Sequence, residues 1–156
     1  MYGAGILMTS EPLAHVADPL YITHKGLGTV LLVLVGARAA WRLTHPAPEP
    51  PPGIPHAQRV VMRWSHAGLY TLLLVMMVSG YARTVADGFP IELLDRLGVP
   101  PLLPRSPELA ATALVTHQVA AYALAILLAA HIGAALDDAI LSRRGILRRM
   151  WPPWNV

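Results

Sequence analysis

The hydrophobic positions of this chain come in long runs that charge does not interrupt. Between Glu108 and Asp137 lie 28 consecutive residues without Asp, Glu, Lys or Arg, and between Arg63 and Arg83 lie 19 more. A third run, LGTVLLVLVGA, forms the uncharged middle of 22–43. A helix needs about 20 apolar residues to cross a bilayer, so the pattern predicts transmembrane helices at 22–43, 62–83 and 109–136. The opening MYGAGILMT, 1–9, is apolar but too short to span, and it lacks the basic region that precedes a signal-peptide core. Residues 10–21 are loop-like, with Glu11, Pro12, Asp18 and Pro19. HPAPEPPPGIP cannot continue a helix and forms a semi-rigid connector. Residues 83–108 are a polar, proline-containing loop with a short interfacial turn expected at IELLDRL. The tail, 137–156, is short and basic, and no internal repeat is evident. The expected fold is an all-α membrane protein: a single domain built as an up-down transmembrane helix bundle with three full spans.

Composition supports that reading. The chain has 156 residues, 54% hydrophobic and 13% charged, where a globular domain carries about a quarter charged residues. The net charge of +3 does not imply nucleic acid, because the arginines cluster beside the apolar spans and act as topology signals. If the spans alternate, eight basic residues (Arg38, Arg42, Arg59, Arg63, Arg143, Arg144, Arg148, Arg149) share one side and four (Lys25, Arg83, Arg96, Arg105) the other. The positive-inside rule then puts the proline-rich connector and the C-terminus in the cytoplasm. With no cysteine, disulfides, thiolate-held iron–sulfur clusters and covalently attached c-type haem are excluded.

Four of the seven histidines, His24, His66, His117 and His131, lie in or at the edge of spans, where an ionisable group is costly and signals function by default. Fourteen residues separate His117 from His131. At helical geometry that is about 21 Å along the axis and within about 40° of one face. Two ligands on one face, one near each leaflet, suit a pair of stacked b-type haems, and a single metal ion could not use both. Topology places His24 level with His117, and His66 level with His131. Arg38, fourteen residues after His24, falls at the inner level, where a haem propionate or a lipid phosphate would pair with it. Gly28, one turn below His24, would let a flat macrocycle approach. A lone intramembrane histidine is more often a core hydrogen-bonding residue; the pair at this spacing, with a level-matched third, favours haem. His15, His45 and His56 lie in loops, and Met76 and Met77 are expected to pack mid-span. A non-haem membrane protein using these histidines for metal ions or protons is the rival reading.

These features together resemble the bacterial cytochrome b561 family, related to the cytochrome b subunits of nickel–iron hydrogenases and formate dehydrogenases. The resemblance rests on His24-x3-Gly28 with Arg38 and Arg42, on His66-x3-Tyr70 leading to Gly80, on His117-x13-His131 followed by Ala134-Ala135-Leu136, and on the ending Leu147-Arg-Arg-Met-Trp-Pro152. It covers roughly 20–153.

The resemblance implies four spans, two b haems, and His24 with His117 as axial ligands of the outer one. His131 would be one ligand of the inner haem, its partner coming from the start of a first helix. Here MYGAGILMT looks like the second half of that helix and holds no histidine, which leaves the inner haem in doubt and points to a start codon set too far downstream or, as the alternative, to a genuine fragment. His66 is the substitute at the right depth. The resemblance further implies electron transfer without an open iron position, ubiquinone as one partner, and superoxide, a redox protein or a hydrogenase or dehydrogenase subunit as the other. It implies a quinone-linked oxidoreductase of superoxide oxidase type or a complex subunit, in the bacterial inner membrane, with a homodimer possible.

Overall fold

The computed structural model describes residues 17–46 and 53–142. The short apolar opening 1–9, His15 and the tail beyond 142 lie outside the described residues. Four α-helices follow one another: α1 (Ala17–Thr44), α2 (His56–Ala86), the short α3 (Glu92–Arg96) and α4 (Pro107–Asp137), with a π-helical turn at Asp138–Ser142 closing α4. Three of them are long and apolar enough to cross a membrane. No strand occurs among the described residues. The chain is a multi-pass, all-α membrane protein.

α1 and α2 overrun their predicted apolar spans by more than a turn at their N-terminal ends, and α4 by two residues. A helix whose tips stand in the interface can carry polar residues there without leaving helical geometry. α2 accordingly starts at His56, immediately after Pro55, six residues ahead of its predicted span. The α4 start is signalled locally: the Ser106 hydroxyl accepts from the Leu109 N–H at 3.2 Å, and Pro107 occupies the first turn, where a missing N–H costs nothing. α2 ends at Ala86, and two residues on, Gly88 turns the chain through the left-handed region with a φ of +85°. Over it lies the Arg105 side chain, which also donates to the Gly88 carbonyl.

The predicted interfacial turn is α3. It caps the outer end of α1: the Lys25 ammonium forms an ion pair with Glu92 at 2.8 Å and donates to the Pro90 carbonyl at 2.7 Å. On the other side of the cap the Ser106 N–H donates to the Ala86 carbonyl, and the Leu102 N–H to the Tyr81 hydroxyl.

α2 and α4 form the principal antiparallel contact, while α1 lies against α2 and α3. The α4 residues buried in that contact are Ala110, Ala113, Ala120 and Leu124, a small-residue stripe of the kind that lets helices approach closely in lipid. Most of the other buried residues, Thr84, Val85, Ala86 and Ile91, lie at the end of α2 and in the loop after it. Large apolar side chains such as Val33, Trp64 and Ile126 are exposed along all three long helices. In water such surfaces would be a liability; against acyl chains they are the expected exterior.

Candidate functional site

The antiparallel register of α2 and α4 sets out two levels. Moving fourteen residues along α4, from His117 to His131, moves fourteen back along α2, from Ser79 to Ser65. The level nearer the α3 cap, labelled outer after the sidedness expected from the arginines, contains His24 of α1, Ser79 and Gly80 of α2, and His117 of α4. The inner level contains Arg38 of α1, Ser65, His66 and Tyr70 of α2, and His131 of α4.

At the outer level the His24 and His117 rings face one another with centroids 6.2 Å apart and planes at 77°. The His117 Nδ1–H donates to the Met76 carbonyl at 2.7 Å, which leaves Nε2 as the unprotonated nitrogen. The same carbonyl accepts from the Ser79 hydroxyl at 3.1 Å, and that hydroxyl lies 3.4 Å from His117 Nδ1. Gly80 makes the approach possible: a Cβ there would stand 3.0 Å from His117 Cε1 and 3.1 Å from Nδ1. The imidazole is thus held against bare backbone.

At the inner level the His66 and His131 rings meet edge to face with centroids 5.0 Å apart. The His66 Nδ1–H donates to the Met62 carbonyl of its own helix at 2.8 Å. His131 Nδ1 lies 3.1 Å from the Ser65 hydroxyl. One turn beyond His66, the Tyr70 hydroxyl accepts from Arg38 Nε at 3.0 Å.

Imidazoles bound on opposite sides of one metal, each nitrogen about 2 Å from it, place their ring centroids roughly 6 Å apart. The outer pair has that spacing, with an unprotonated Nε2 on His117 available to face an iron, and the residues fit a haem. The inner pair stands about an ångström closer, in direct ring contact.

The structure brings together His24 with His117, and His66 with His131, as their predicted depths require. Arg38 reaches Tyr70, a partner the sequence did not suggest. A Cβ at Gly28 would meet nothing within 4 Å, so the glycine that close packing demands is Gly80. Of the remaining histidines, His45 stacks on Trp41 at 3.6 Å and His56 opens α2. Met76 enters the site through its main-chain carbonyl rather than its thioether.

Sequence alone does not single out Ser65 or Ser79, and Gly80 enters only through the family resemblance, yet the sequence holds a signal. Met62-Arg-Trp-Ser65-His66 and Met76-Met-Val-Ser79-Gly80 share the pattern Met-x-x-Ser, repeated at the fourteen-residue interval of the α4 histidines.

Comparison with known proteins identifies the family. The family model described as prokaryotic cytochrome b561 matches residues 1–153. Cytochrome b561 homolog 2 of Escherichia coli (strain K12) is 32% identical over 127 residues, which is 81% of this chain and 68% of that protein. No solved structure matches. With two ring pairs at two depths of a three-span helical unit and a family match over nearly its whole length, the chain belongs to the prokaryotic cytochrome b561 family, membrane-bound b-type cytochromes of electron transfer.

Proposed function

We propose that the chain carries electrons across the bacterial inner membrane between ubiquinone and a partner at the other face, superoxide or a redox protein, using two b haems. The observation that carries the reading is the His24–His117 pair, 6.2 Å between centroids with the His117 Nδ1–H committed to a carbonyl. His24 and His117 are the proposed axial ligands of the outer haem, and Gly28 leaves room beside it on α1. His131 is the proposed ligand of an inner haem. Among the described residues, His66 is the candidate for its partner. Arg38 stands beside the inner level as a counter-charge.

When bound, a six-coordinate b haem supplies one-electron redox chemistry without an open coordination site. The residues here orient the His117 and His66 imidazoles through their Nδ1–H bonds to main-chain carbonyls. Superoxide, as the donor, would give up one electron per molecule and leave as dioxygen; two such electrons and two protons make one quinol. The arginine distribution supports an orientation with the proline-rich connector and the C-terminus in the cytoplasm.

The test is a reduced-minus-oxidised spectrum of membranes from haem-replete cells, with haem counted per chain. The wild type should show a b-type alpha band. His117→Ala should lose the outer haem and His131→Ala the inner one. Absence of the band in well-expressed protein sinks the haem reading, and a full haem complement in either variant sinks the ligand assignment.

A further inference from the structure

At the end of the bundle that carries the proline-rich connector, α1 and α2 turn cations towards one seam. Arg38 of α1 donates to the Tyr70 hydroxyl of α2 at 3.0 Å, and this contact sets both the register and the facing sides of the two helices. Arg42 follows Arg38 by four residues and lies within about 40° of it around α1. Arg63 and Arg59 precede Tyr70 by seven and eleven residues, each within about 20° of it around α2. Antiparallel packing brings Arg42 and Arg63 to within about one turn of each other in depth, with Arg59 a turn further out.

All three arginines are exposed, and their donors are mostly unused. A guanidinium has five N–H groups. Arg42 spends one on the His45 carbonyl at 3.3 Å, and Arg59 one on the Ile54 carbonyl at 2.9 Å. Arg63 has no hydrogen-bond or ion-pair partner among the described residues. No carboxylate there pairs with any of the three; the ion pair among the described residues is Lys25–Glu92, at the opposite end of α1. Asp138 is buried on the other side of α2. The register that sets His131 opposite Ser65 sets Asp138 opposite Gln58, seven residues before Ser65 and on the face turned to α4. Two tryptophans give the depth. Trp41 and Trp64, both largely exposed, fall within a turn of one another by the same register, and tryptophan at the end of an apolar span sits among lipid headgroups.

We infer that this seam is a docking site for an anionic phospholipid, its phosphate held by Arg42 and Arg63 from two helices, with Arg59 beside them. Like charges converging from neighbouring helices repel until an anion lies between them, and a basic pocket between membrane helices is suited to an acidic headgroup. The planar fork of each arginine matches a phosphate's oxygens. The lipid would tie α1 to α2 at the end away from the α3 cap.

The experiment is lipid binding to delipidated holoprotein in detergent, read by native mass spectrometry, with phosphatidylglycerol, phosphatidylcholine and inorganic phosphate as probes. The wild type should bind phosphatidylglycerol in preference to phosphatidylcholine, and inorganic phosphate should not compete. Arg42→Gln and Arg63→Gln should each weaken phosphatidylglycerol binding about fivefold, and the double variant about thirtyfold. Arg63→Lys, which keeps the charge and loses the fork, should lie between wild type and Arg63→Gln. Arg96→Gln, an exposed charge on α3 at the opposite end, should bind as the wild type does. Equal affinity for the two lipids overturns the inference, as does an equal loss in Arg96→Gln. Displacement by inorganic phosphate also overturns it, by showing a site for a soluble anion. Haem per chain is the second readout and should be unchanged in these variants. Its fall in step with lipid binding would assign the arginines to a haem propionate and overturn the lipid site while leaving the haem reading intact. Should the double variant not be monodisperse, the order of wild type, Arg63→Lys and Arg63→Gln decides alone.

Discussion

The outer and inner levels of this bundle contain similar residue types and are built on opposite plans. Outside, His117 rests on a glycine and a main-chain carbonyl, beneath a loop cap tied to α1 by the Lys25–Glu92 pair. Inside, His131 is addressed by side chains, Ser65 and His66, with the exposed Arg38–Tyr70 bond nearby. A centre held by backbone has its geometry set once the helices pack. One held by hydroxyls and rings can be adjusted residue by residue. The contrast teaches that a fourteen-residue repeat of histidines need not bring a repeat of their surroundings.

The sharpest way to break the contrast is at glycine. Gly80→Ala would press a methyl onto an imidazole that its hydrogen bond holds in place. Inserting volume into such a contact costs about 1–3 kcal/mol, and disturbing a group that orients a metal ligand typically costs 10–100-fold in affinity. Haem retention at the outer level should fall by about tenfold or more, read as loss of one haem's share of the alpha band during purification, with the inner share kept. Gly68 supplies the control. A Cβ there would also stand 3.0 Å from a neighbour, but that neighbour is the end of the Leu127 side chain, which can swing aside. Gly68→Ala should leave both haems in place. Equal losses in the two variants would mean that α2–α4 packing, rather than the His117 cradle, is what both residues serve.

The second effect is smaller and falls on the other level. Arg38→Ala removes a positive charge beside the inner centre and should lower that centre's potential more than the outer one's. A nearby cation disfavours the oxidised, more positive state, and its influence weakens with distance. Tyr70→Phe keeps the charge and removes its hydrogen-bond acceptor, so its shift should be less than that of Arg38→Ala. Redox titration checks both; equal shifts at the two centres would make Arg38 a topology marker only.

The helices were legible in the sequence because charge-free runs of 19 and 28 residues leave a small protein few alternatives to lipid. The depth matching of His24 with His117, and of His66 with His131, was legible for the same reason: antiparallel spans convert sequence distance into depth. What was not legible is rotation. Depth says nothing about which face of α2 meets α4, and Ser65, Ser79 and Gly80 owe their positions to that rotation. Arg38 illustrates the limit. Its depth was predictable, but its Tyr70 partner sits on another helix, and only the packing angle decides that the two meet. Lys25–Glu92 likewise depends on how the loop before α3 folds over α1.

That ion pair carries the smallest of these effects and the clearest dependence on pH. Burial, the largest single influence on the Glu92 carboxyl, pushes its pKa up. The hydrogen bond from Lys25, the backbone N–H of Glu92 itself and the charges of Lys25 and Arg96 together outweigh it, holding the carboxyl below its ordinary value of 4.5. A carboxyl whose pKa is depressed on folding binds protons more readily when unfolded, so its contribution is present above about pH 4.5 and lost as pH falls through the folded value. The pair is partly exposed, and its worth is under about 1 kcal/mol. Limited proteolysis of the 87–106 loop should therefore speed up modestly as pH drops below 4.5 in the wild type. In Glu92→Gln that step should be absent, with the faster rate present already at neutral pH. The inner-level potentials should be the same in both proteins, since the cap touches only the outer end of α1. A change at the inner centre would show that the two levels are mechanically joined through α1, and the distinction between a backbone-set outer level and a side-chain-set inner one would then describe ligand chemistry alone, not two independent halves of the bundle.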